Sequence, residues 1–162
     1  MIVFMKRYFQ KLFLIAAMLL SVAGYNVKAQ STVYFFVDFR FWNSEYVFKA
    51  NGNEAFKLIP EGNPVVKGSD AVLYNMVARK VTFTNSGSYV ISVNCPTAKG
   101  DMQAELNLNL EDGETYYVLL NSTMKRALYM ESIEEKEGLK LLKKAQKSKK
   151  YTFNEDFTYN GK

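Results

Sequence analysis

The sequence predicts a single antiparallel β-sandwich completed by one C-terminal amphipathic helix. Three observations carry that expectation. β-branched and aromatic runs alternate with glycine-bearing turns from residue 32 to residue 130. Residues 102–111 hold an uninterrupted period-two pattern, and a 3.6-residue period emerges only after residue 132. Counting the runs gives about seven or eight strands at the spacing of a sandwich.

The first strand is expected over residues 32–40, where Val33, Tyr34, Phe35, Phe36, Val37 and Phe39 put apolar groups on both faces. Such a strand is covered on both sides and therefore central. Residues 46–50 and 54–59 flank Asn51-Gly52-Asn53, and Asn-Gly tolerates the positive φ values of a tight hairpin turn. Residues 60–71 contain Pro60, Gly62, Pro64 and Gly68 and read as a loop, because proline removes ladder donors. A second hairpin is expected where 74–84 and 88–94 join through Asn85-Ser86-Gly87.

The clearest alternation sets Met102, Ala104, Leu106, Leu108 and Leu110 against Gln103, Glu105, Asn107, Asn109 and Glu111. One face belongs to the core and the other is wet. Glu111-Asp112-Gly113-Glu114 turns the chain into residues 115–120, and residues 126–130 supply a final strand.

A helix follows. Ser132 stands three residues before Glu135, the spacing of a capping box, and Glu134, Glu135 and Glu137 lie at the positive end of the helix dipole. Leu139, Leu141, Leu142, Ala145 and Gln146 share one arc and are expected to dock on a sheet, opposite Lys136, Lys140, Lys143, Lys144 and Lys147. The tail, residues 151–162, holds Tyr151, Phe153, Phe157 and Tyr159 among polar residues and is compatible with packing or with fraying.

Ahead of this domain, residues 1–29 read as a signal peptide. Lys6, Arg7 and Lys11 precede an apolar run at 12–23, and Val27-Lys28-Ala29 supplies a small-x-small exit before Gln30. The run is shorter than the ~20 apolar residues of a membrane span. Translation from Met5 gives the more conventional basic start, since Met1-Ile2-Val3-Phe4 is apolar. Cleavage after Ala29 leaves residues 30–150 as the sandwich and helix, with 151–162 as the tail, in a protein that is periplasmic or secreted. The chain's surplus of 21 basic over 16 acidic residues largely leaves with Lys6, Arg7, Lys11 and Lys28. A nearly neutral mature chain gives no case for nucleic-acid binding.

Residue chemistry narrows the function further. The chain has no histidine and one cysteine, which excludes imidazole-based triads, His-ligated metals and thiolate metal sites. No cofactor or metal is therefore expected. Cys95 cannot form an internal disulfide and, between the apolar run 89–93 and Pro96, reads as a small buried hydrophobe. No cysteine follows the leader's apolar run to carry a lipid anchor. A carboxylate pair or a Ser-Lys dyad remains as the route to an enzyme; Glu105, Glu111 and Asp112 point to a carboxylate-based hydrolase, against the alternative of a solvated turn for the acids beside Gly113.

Binding is the leading expectation. Phe41 and Trp42 offer an aromatic platform for sugar rings or a partner's side chains, against the alternative of a strand end entering the core. Tyr116 and Tyr117 are neighbours on a strand, so one ring enters the core while the other faces solvent, the helix or a partner. The five helix lysines suggest contact with an anionic membrane surface, against the alternative of an ordinary solvated face. The functional expectation is an exported, non-enzymatic module that binds a protein or glycan in the bacterial envelope, with peripheral membrane-surface binding as the alternative and the hydrolase third.

Four motifs occur in a familiar order: Asn51-Gly52, Gly87-Ser88-Tyr89, Leu106-x-Leu108-x-Leu110-x-x-Gly113-x-Thr115-Tyr116-Tyr117, and Gly138-Leu139-x-Leu141-Leu142. Over residues 33–147 the chain resembles domain of unknown function 2846 (DUF2846). The resemblance implies a small exported bacterial β-sandwich of unassigned activity, with no catalytic residues to carry over. Some relatives look like lipoproteins, a feature this chain departs from in lacking the cysteine.

Overall fold

Alternating burial along each strand builds two sheets that face one another. The computed structural model describes residues 30–38, 45–60, 76–96, 100–122, 127–149 and 151–161. The predicted leader, and with it the expected cleavage site, lies outside the described residues, as does most of the predicted 60–71 loop. In chain order the elements are β1 (Ser31–Val37), β2 (Tyr46–Ala50), β3 (Asn53–Leu58), β4 (Met76–Phe83), β5 (Gly87–Cys95), β6 (Met102–Leu110), β7 (Thr115–Ser122), β8 (Leu128–Ile133), α1 (Glu135–Lys147) and β9 (Tyr151–Tyr159). One sheet has the order β8-β7-β1-β4-β9 and the other β3-β2-β5-β6. The protein is a mainly β sandwich with one C-terminal helix.

Two pairings depart from a purely antiparallel scheme. β1 runs parallel to β7, and β4 runs parallel to β9. Parallel neighbours require a long crossover. Here each pair is separated in sequence by strands of the opposite sheet, and α1 carries the chain into β9.

The apolar run of β1 has a direct physical reason. Phe35 points between the sheets, where its ring lies 5.2 Å from Phe48 and 4.9 Å from Phe56. Phe36 points the other way into a second apolar layer with Ala78, Tyr117, Leu119, Leu141, Ala145 and Tyr151, beneath α1. β1 is thus buried on both faces and central in its sheet. Asn51 and Gly52, at φ 51° and 83°, make the hairpin turn between β2 and β3 that the sequence predicts.

The tail packs as β9. Its backbone pairs with β4 from Met76↔Tyr151 to Phe83↔Tyr159, with an irregularity between Arg79 and Val81. β9 also joins the two sheets at their edge. The Asn154 amide accepts from the Ile59 backbone N–H at 2.9 Å and donates to the Ile59 carbonyl at 2.9 Å, imitating a strand partner. Arg79 donates to the carbonyls of Lys57 at 2.7 Å and Glu155 at 2.8 Å, and its guanidinium stands 5.2 Å from the Phe157 ring. Burial pulls the Arg79 pKa below its ordinary value, against the opposing pull of Glu155 and Asp156.

The helix start differs from the sequence expectation. Ser132 belongs to β8, paired with Val118, and the N-cap is Glu134 with no side-chain cap hydrogen bond. The β7–β8 ladder continues through Ile133 and takes the residues that a capping box would use. The docking arc is also rotated. Gly138, Leu141 and Ala145 are buried, whereas Leu139 is 39% exposed and Gln146 is exposed. The absence of a side chain at Gly138 lets the helix rest directly on the Tyr117 ring. No described helix is long and apolar enough to cross a membrane.

Candidate binding surfaces

The sequence-predicted contact residues fall in three places. Phe41 and Trp42 lie outside the described residues. Tyr116 and Tyr117 project from opposite faces of β7. Tyr116 is half-buried against the inter-sheet core, and its hydroxyl accepts a hydrogen bond from the Glu111 backbone N–H at 2.9 Å, bracing the turn that precedes β7. Tyr117 is buried under α1 and stacks on Tyr34 at 5.6 Å between centroids. Burial raises its phenol pKa, with smaller contributions from Glu135 and Tyr34. Of the alternatives for the outward ring, the structure places Tyr117 against the helix.

Lys136, Lys140, Lys143, Lys144 and Lys147 are all exposed on α1. Lys144 has an intramolecular role. Its ammonium donates to Asp38 Oδ1 at 2.9 Å and sits 5.5 Å from the centre of the Tyr151 ring. The Tyr151 hydroxyl donates to the same carboxylate oxygen. Burial pushes the Tyr151 pKa far above its ordinary value, and the Asp38 hydrogen bond and charge push it further in the same direction. Together these contacts latch the helix to the ends of β1 and β9. The adjoining groove, about 450 Å³, is lined by Asp38, Glu134, Lys136, Glu137, Lys140 and Lys144, so both signs of charge meet there.

The larger concavity, about 550 Å³, lies on the other sheet. It is lined by Lys49, Ser92, Asn94, Asp101, Gln103 and Glu105, with Val93 and Ala104 in its floor. Cross-strand register builds it. Lys49 stands beside Ser92 and Ser92 beside Glu105, while Val47 stands beside Asn94 and Asn94 beside Gln103. Asn94 donates to Asp101 at 3.0 Å and accepts from Gln103 at 3.5 Å, which orients the amides along the groove. The inward alternates Phe48, Ile91 and Val93 are buried in the core, so the rigid sheet holds the polar side chains on its outer face. No described element packs over them.

The polar half of the β6 pattern is therefore what supplies this surface, together with residues of β2 and β5 that no local motif links to it. Among the acids considered for hydrolysis, Glu105 lines the groove, whereas Glu111 and Asp112 lie in the turn between β6 and β7. Among the described residues, no group of three His, Cys, Asp or Glu side chains could hold a metal ion. No protein-family model matches the chain, and no curated protein matches it.

Proposed function

We propose that this protein is an exported, non-enzymatic binding module of the bacterial envelope, and that it takes a glycan on the outer face of β2, β5 and β6. One observation carries the reading. A concavity of about 550 Å³ on the outer sheet face, over which no described element packs, is furnished with amides, a hydroxyl, an ammonium and carboxylates. Protein interfaces rely on apolar or aromatic anchors filling pockets. This groove offers instead paired donors and acceptors of the kind that hydroxyl-rich ligands need. Export is supported by the basic, apolar and small-residue pattern of residues 1–29.

The anionic-surface alternative draws on the exposed helix lysines. It is less favoured because Glu134 at the N-cap and Glu135 and Glu137 in the first turn put negative charge on the helix start, and Lys144 is engaged by Asp38. The glycan reading is tested by equilibrium binding of the processed protein to purified cell-wall glycan. Replacing Asn94 and Gln103 together by alanine should weaken binding about tenfold or more, the loss of two or three direct hydrogen bonds. Unchanged affinity in that variant rejects the assigned surface. N-terminal sequencing of protein recovered from the envelope fraction should find Gln30, and an unprocessed Met1 or Met5 terminus rejects export by this leader.

A further inference from the structure

We infer that the groove on β2, β5 and β6 selects a zwitterionic glycan, with a carboxylate on one sugar and a protonated amine on its neighbour, and that Lys49 takes the carboxylate while Glu105 takes the ammonium. The inference rests on the glycan reading above and deepens it by naming the charge pattern of the ligand and the two residues that read it. Its basis is the order of side chains across the groove. Lys49 on β2 stands beside Ser92 on β5, and Ser92 beside Glu105 on β6. All three line the same concavity of about 550 Å³. A cation, a neutral hydroxyl and an anion therefore follow one another from rim to rim, over roughly 10 Å.

Neither end of that row is neutralised within the protein. Among the described residues, Lys49 and Glu105 form no ion pair and no side-chain hydrogen bond, and the half-buried Ser92 hydroxyl between them is likewise unengaged. The other charges nearby are already occupied. Glu54, beside Lys49 on β3, lies 3.9 Å from Lys57, which also reaches Glu45 at 3.5 Å. Asp101, the second acid of the groove, accepts from the Asn94 amide at 3.0 Å. The concavity beside α1 differs in this respect, because its Lys144 is already paired with Asp38 at 2.9 Å.

Opposed charges set what the groove rejects as well as what it takes. A glycan with carboxylates alone pairs with Lys49 but brings like charge toward Glu105 and Asp101, and one with amines alone is repelled by Lys49. A neutral glycan gains only the hydrogen bonds of the amides and of Ser92. A segment with one charge of each sign gains a charge-assisted hydrogen bond at both rims, the stronger kind, while Ser92 can donate to or accept from a sugar hydroxyl between them. Lys49 and Glu105 are exposed, so this selectivity weakens as salt is added.

Calorimetric titration of the processed protein with three disaccharides, at slightly acidic pH where the sugar amine is protonated, tests this directly. The probes are glucosamine–N-acetylmuramic acid, which carries both charges, N-acetylglucosamine–N-acetylmuramic acid, which carries the carboxylate alone, and glucosamine–N-acetylglucosamine, which carries the amine alone. The first is expected to bind about tenfold more tightly than either of the others, the order of one charge-assisted hydrogen bond. Lys49→Met should bind the first and third equally, and Glu105→Gln the first and second equally, each with an unchanged far-ultraviolet circular dichroism spectrum because both side chains lie outside the core. Equal affinity of the wild-type protein for all three, or a wild-type preference in both variants, overturns the inference. If binding is equal across the probes yet lost in the Asn94 and Gln103 variant, the charge pattern is rejected while the proposed function stands. Failure to bind any glycan rejects both, as does tighter binding of dialanine, which carries the same two charges on no sugar.

Discussion

Replacing Gly138 by alanine is expected to destabilise the protein by about 2–3 kcal/mol, the cost of forcing extra volume into a well-packed contact. The direction is opposite to the ordinary helix rule, by which glycine to alanine in an exposed helix is favourable by about 1 kcal/mol. The reason is local. A β-carbon at position 138 overlaps Cβ, Cγ and Cδ1 of Tyr117. Those atoms sit at the base of a buried ring already stacked on Tyr34, so they cannot swing aside as the tip of a flexible chain would. Urea denaturation of Gly138→Ala, in the wild-type and Tyr117→Ala backgrounds, measures the coupling. With the ring removed, the alanine should become neutral or mildly stabilising. An equal cost in both backgrounds contradicts the contact as the cause.

The second large effect is alkaline. Tyr46, Tyr89, Tyr117 and Tyr151 all have pKa values raised above the ordinary phenol value of 10.0, with burial as the leading cause in each. The unfolded chain ionises these phenols first, near pH 10, whereas the folded chain holds their protons to higher pH. Above pH 10 the native state therefore binds more protons than the unfolded state, and stability falls as pH rises. The contribution is fully present below pH 10. For Tyr46, 2% exposed, the decline approaches about 1.4 kcal/mol per pH unit. Urea midpoints between pH 8 and pH 11 should stay level to about pH 9.5 and then drop. Tyr46→Phe should show a shallower drop. Parallel alkaline declines in the two proteins contradict the assignment to Tyr46.

Elements whose burial is written in their own residues were legible in the sequence. The period-two pattern of β6 and the two-faced apolar run of β1 each state their environment locally, and both occupy the predicted layers. What escaped depends on partners distant along the chain. The tail residues become strand β9 because β4 offers a parallel edge and Ile59 meets Asn154 across 95 positions. Ser132 fits a capping box locally, yet the ladder to Val118 claims it. At the candidate surface on the four-stranded sheet, the wet side of β6 was readable, but not that Lys49 and Ser92 would align with Glu105.

The most direct test of the glycan-binding account is residue-resolved nuclear magnetic resonance of the processed, isotope-labelled protein titrated with soluble cell-wall glycan fragments. The account predicts saturable shift changes in the backbone signals of Lys49, Ser92, Asn94, Gln103 and Glu105, with the signals of α1 unmoved. A titration that leaves those five signals in place, or that perturbs only the helix lysines, contradicts it.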